Sequence, residues 1–122
     1  MIADLAAILF FARDYAHRAH LRTDSYAKHK ALNDFYEQMT EAVDGLVESW
    51  QGRFSSLLNI DYYRPDTNPD PLDPVTELEK LYRMAHAIRY QAVAKEETML
   101  QNQIDEIERI FASAQYKLKF LN

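Results

Sequence analysis

The sequence predicts an all-α fold, a helical bundle in which the chain crosses from one end to the other through one long loop. Apolar residues recur at gaps of three and four through most of the chain, the period of an amphipathic helix. That pattern stops over 53–73, where Pro65, Pro69 and Pro71 punctuate a stretch rich in Asp and Asn and Pro74 follows it. The chain has 122 residues, 48% of them apolar, which is the size of one domain with one core.

The first helix is expected over about 2–21, where Leu5, Ile8, Leu9, Ala12, Tyr15, Ala16 and Ala19 form a stripe. The run from Leu5 to Ala12 does not read as a secretion signal. Asp4 rather than a basic segment precedes it, and Arg13 and Asp14 end it far short of a bilayer span. Arg22-Thr23-Asp24-Ser25 is a polar turn with Asp24 or Ser25 as N-cap. A second helix follows over about 26–51, with Leu32, Phe35, Tyr36, Met39, Val43, Leu46, Val47 and Trp50 as a wide buried stripe.

Neighbouring helices of an up-down bundle need only short turns. A loop of about twenty residues instead carries the chain from end to end, so 53–73 reads as a crossover between two antiparallel hairpins. Its Leu57, Leu58, Ile60, Tyr62 and Tyr63 are expected to cover the core or form a short helix. Asp73-Pro74 is an N-cap followed by Pro at the first helical position, and Glu77 and Glu79 favour the positive end of that helix. Val75, Leu78, Leu81, Tyr82, Ala85, Ile88 and Ala92 make one stripe; Leu100, Ile104, Ile107, Phe111, Ala114 and Leu118 make another. Between them Lys95-Glu96-Glu97-Thr98 has neither Gly nor Pro, so periodicity alone permits one long helix or two.

Composition narrows the chemistry. Without cysteine there is no disulfide or thiolate site, so a metal must be held by nitrogen and oxygen. A net charge of −5, with no block of Lys or Arg at either end, argues against binding a nucleic-acid backbone. No helix has the basic polar face of a membrane-surface segment. With only Gly45 and Gly52, a glycine-lined phosphate cradle is not expected. A cytoplasmic protein is the expectation.

The strongest chemical signal is His17, His29, Asp44 and Glu48, spaced twelve, fifteen and four residues apart. Imidazole and carboxylate are ligands of iron, zinc and manganese. Asp44 and Glu48 project from one face of the second helix. His29 lies roughly 22 Å from Asp44 along that axis, so one chain splits its own ligand set. Two copies crossing antiparallel about a two-fold axis near Glu37 and Gln38 would bring the histidine end of each to the carboxylate end of the other.

These four residues match in identity and spacing the ferroxidase pattern of Dps proteins (DNA-binding proteins from starved cells), within the ferritin-like superfamily. The similarity extends to His29-Lys-Ala-Leu-Asn-Asp-Phe-Tyr36 and Val43-Asp-Gly-Leu-Val-Glu48, and covers about the first 52 residues. Beyond Gly52 the chain is similar only in helical pattern, which uncharacterised ferritin-like proteins of tailed phages share. It departs at Arg18, where an aromatic residue usually follows the first histidine, and at Asn33, where an acidic residue often stands.

The resemblance implies a ferritin-like four-helix bundle, and so a break near 94–98 with helices over about 74–93 and 97–119. It also implies metal ligation, and ferroxidase catalysis, by His17 and His29 of one subunit with Asp44 and Glu48 of its two-fold mate. Iron is the implied metal, zinc or manganese the alternatives, and a homodimer, extending to a dodecamer, the implied assembly. The rival expectation is a non-catalytic structural or interaction protein, for example of phage origin and in a bacterial host's cytosol, that keeps the bundle. His20, three residues after His17, reads as an exposed helix-end residue in preference to a further ligand or a proton shuttle, and His86 as structural, with no carboxylate pattern around it.

Overall fold

The computed structural model describes Met1–Asn122 as four helices and no strand. They are α1 (Ile2–Arg22), α2 (Tyr26–Phe54), α3 (Pro74–Ala92) and α4 (Thr98–Phe120). α1 packs on α2 and α3, and α4 packs on the same two, leaving α1/α4 and α2/α3 as the diagonals. Contacts fix the directions. Arg53 at the end of α2 grips Glu97 at the start of α4 through bonds of 2.7 and 3.1 Å, and Lys117 near the end of α4 reaches Asp34. Tyr15, late in α1, bonds to the Asp70 carbonyl just before α3. Both pairs are therefore antiparallel, α2 and α3 run the same way, and the crossover travels the length of the bundle.

One apolar core joins all four helices, with Leu5, Leu9, Leu32, Phe35, Met39, Leu46, Leu78, Leu100, Ile107 and Phe111 among its fully buried side chains. Phe35 meets Phe111 edge to face at 5.1 Å, an arrangement that adds about 1 kcal/mol to the burial itself.

α2 ends differently from the sequence expectation. It continues through Gly52 to Phe54 and stops at Ser55, whose left-handed conformation (φ 52°, ψ 44°) lets the Ser56 N–H bond back to the Gln51 carbonyl. Neither glycine has positive φ, so neither breaks the helix.

α3 and α4 are separated at 93–97, and a buried polar clamp explains the turn that Gly or Pro would otherwise mark. The Gln101 amide donates to the Val93 carbonyl at 2.8 Å, closing the chain back on itself. Arg89, only 5% exposed, donates to Gln101 Oε1, the Gln101 carbonyl and Asp105, and pairs with Glu108 at 3.2 Å. Burial alone would lower its pKa; the Asp105 hydrogen bond and the Glu108 charge outweigh that and raise it.

The crossover lies along the α1/α3 side. Tyr63 packs edge to face on Phe11 at 5.0 Å and its hydroxyl faces Met84 Sδ at 3.7 Å; Leu58 and Ile60 are half-buried. Two expected core-covering residues do not cover it, since Leu57 and Tyr62 are 85% and 87% exposed, and no helix forms here.

The buried Tyr15 phenol anchors the far end of this loop at 2.7 Å from the Asp70 carbonyl. Desolvation first, then Glu77, Asp70 and Asp73, push its pKa above the ordinary 10.0. The folded state thus keeps a proton that the unfolded chain releases above pH 10, so stability is intact below about pH 10 and declines above it. Tyr15→Phe should cost about 1 kcal/mol at neutral pH, through the lost bond and the unpaired carbonyl. It should also flatten the alkaline decline; urea unfolding from about pH 7 to 11 checks both.

Candidate metal-binding face

The first two helices place their histidines by register. Thr23-Asp24-Ser25 joins α1 to α2, with Ser25 Oγ accepting the Lys28 N–H at 3.2 Å as N-cap. So tight a turn sets the last residues of α1 against the first turns of α2. His29 then stacks on His20 with ring centroids 4.2 Å apart, and Tyr26 extends the stack at 6.4 Å. His17 stacks on Tyr36 at 4.5 Å, and the edge of His20 meets Tyr36 at 5.2 Å, joining the two stacks.

Hydrogen bonds decide which nitrogens are free. His20 Nδ1 lies 2.8 Å from the His17 carbonyl, and His29 Nδ1 lies 2.8 Å from the His20 carbonyl. A carbonyl only accepts, so each Nδ1 carries the proton and each neutral ring presents a bare Nε2 lone pair. Holding Nδ1–H on a backbone carbonyl is the usual way a ligating imidazole is oriented. The spacing has a simple origin. The two carbonyls are three residues apart on one helix, about 4.5 Å of rise, close to the 4.2 Å between rings.

The four residues singled out from sequence are only partly brought together. His17 is exposed and His29 half-buried, and His20 and Tyr36 link them. Asp44 and Glu48 are exposed about four and about five turns beyond His29 along α2, and neither makes a hydrogen bond or ion pair. Asp44 borders a groove of about 650 Å³ with Phe10, Asp14, Arg18 and Tyr62. No three His, Asp or Glu side chains of one chain stand close enough to hold a metal ion. No helix is long and apolar enough to cross a membrane.

Two other histidines differ from expectation. His20 is 7% exposed rather than solvent-facing, because the short turn folds α2 over it. His86 does have a carboxylate partner: its Nδ1 is 2.7 Å from Glu108, which also pairs with Arg89. That partner is 22 residues away on another helix and so invisible to spacing.

Long-range ¹H–¹⁵N correlation spectra at about pH 8, where imidazoles are neutral, should show His20 and His29 as Nδ1–H tautomers. Finding Nε2–H for both would contradict the carbonyl bonds.

Residues 20–118 match DUF5856, a family of unknown function. The chain is also similar to an uncharacterised 14.6 kDa protein of the mobD–ri intergenic region of Enterobacteria phage T4. They are 26% identical over 111 residues, which span 91% of this chain and 82% of the phage protein. No solved structure matches.

Proposed function

The chain belongs to DUF5856, whose function is unknown, and we propose from the geometry of its first two helices that it binds a divalent transition metal, iron foremost, at a site completed between two copies. One observation carries this reading. His20 and His29 spend their Nδ1 protons on α1 carbonyls and leave Nε2 free beside His17, while Asp44 and Glu48 stand without partners further along α2. Imidazole nitrogen with carboxylate oxygen suits Fe(II), Zn(II) and Mn(II).

Charge supports two-fold pairing. Arg22, Lys28 and Lys30 lie at the histidine end of the α1/α2 hairpin, and Glu41, Asp44 and Glu48 lie further along α2. An antiparallel two-fold contact sets each end against its opposite. The antiparallel hairpins and long crossover fit a ferritin-like bundle, and the ligand pattern resembles that of Dps ferroxidase sites. In that role Fe(II) is the substrate: each ion gives one electron to peroxide or oxygen, and the carboxylates favour the ferric product. The non-catalytic alternative draws support from the stacks themselves, since His17 on Tyr36 and His29 on His20 are also good packing.

Mixing two inactive variants tests the shared site. His17→Ala/His29→Ala lacks imidazoles and Asp44→Ala/Glu48→Ala lacks carboxylates, so each alone should lose most Fe(II) binding. In refolded mixtures half of the dimers pair the two variants, each with one complete site, so about a quarter of wild-type sites should return. No recovery despite proven subunit exchange would overturn the proposal.

A further inference from the structure

His86 stands on α3, the helix diagonal to α2, and its ring is held from two sides. It stacks on Tyr82 one turn back, with centroids 5.7 Å apart and planes at 19°, and its Nδ1 lies 2.7 Å from Glu108 Oε2 on α4. An ionised carboxylate only accepts, so Nδ1 donates and the neutral ring keeps its lone pair on Nε2. Glu108 is fixed in turn. Its other oxygen pairs with the buried Arg89 guanidinium at 3.2 Å, and Asp105 holds that guanidinium at 2.6 Å. The chain of contacts Asp105–Arg89–Glu108–His86 therefore runs from the α3/α4 joint out to an imidazole that is 52% exposed and makes no hydrogen bond through Nε2.

We propose that His86 accepts a phosphoryl group on Nε2 from a donor that carries it on nitrogen. Imidazole is itself a nucleophile. No serine or threonine hydroxyl bonds to His86, so the His86–Glu108 pair has no side-chain nucleophile to activate, and the ring is the reacting group. The Nε2 lone pair forms the new N–P bond while the donor's P–N bond breaks, and the electron pair of that bond leaves with the amine. One P–N bond replaces another, so the exchange is close to balanced. The ring becomes an imidazolium that retains its Nδ1 proton, and the Glu108 carboxylate stabilises the charge that appears there. Arg83 and Arg89 stand one turn to either side of His86, the spacing at which helix side chains are neighbours. Arg89 is committed inside the fold, whereas Arg83 is 76% exposed and paired only with Glu79 through a surface contact that yields readily. Its planar fork suits phosphoryl oxygens.

Incubation with phosphoramidate at about pH 8, where imidazoles are neutral, tests this, with intact mass and ³¹P NMR as readouts. His86 should react first, about tenfold or more faster than N-acetylhistidine in the same solution, and carry one acid-labile, alkali-stable phosphoryl on Nε2. His86→Ala should lose that fast addition and leave only slow reaction at His17, His20 or His29, which serves as the internal control. Glu108→Gln keeps a bond to the ring without the charge and should slow the addition about tenfold, while ¹H–¹⁵N spectra showing Nδ1–H retained separate lost charge from lost orientation. Arg83→Ala, at an exposed position that does not endanger the fold, should slow it severalfold. Reaction no faster than that of the free amino acid, or first at another histidine, overturns the proposal. An unchanged rate in Glu108→Gln overturns the part given to the carboxylate, and an unchanged rate in Arg83→Ala that given to the guanidinium.

Discussion

The turn Thr23-Asp24-Ser25 is the constraint from which the distinctive surface of this bundle follows. With three residues between α1 and α2, the antiparallel register has little freedom, and His20 must face His29 while His17 faces Tyr36. A longer loop would let α2 slide along α1 by a turn, moving the rings about 5.4 Å and exchanging one partner for another. The Ser25 cap and the backbone bond from His29 N–H to the Ser25 carbonyl, at 2.9 Å, pin the start of α2 where the stack needs it.

Polar groups close the other joints of the fold. The turn between α3 and α4 is held by Arg89 and Gln101, and the end of α2 is tied to the start of α4 by the two-point Arg53–Glu97 contact. Arg53–Glu97 is half in water and contributes modestly. The Arg89 cluster differs because its guanidinium is buried. Removing one partner would strand a charge or a donor in the interior, a far larger penalty than the bonds' net worth. These contacts tie α3 to α4 through polar pairing, while on the α1/α2 side Asp44 and Glu48 stand exposed without partners.

Periodicity was enough to determine that this chain is helical and where its apolar stripes lie, because burial on one face of a helix imprints a 3.6-residue repeat on the residues themselves. The proline cluster likewise announced the crossover, and Asp73-Pro74 the start of α3, since proline lacks an N–H and its φ is fixed locally. His17, His29, Asp44 and Glu48 could be singled out by residue type and spacing alone. Other features depended on partners distant in sequence, so only the tertiary structure decided them. Gln101 reaches back to Val93 and ends α3 without Gly or Pro; Glu108 meets His86 across two helices. Leu57 and Tyr62 stay in solvent, and it is Tyr63 that takes the place against Phe11. His20 shows the difference most clearly: its sequence neighbours suggest an exposed helix end, and only the packing of α2 over that end buries it and sets it against His29.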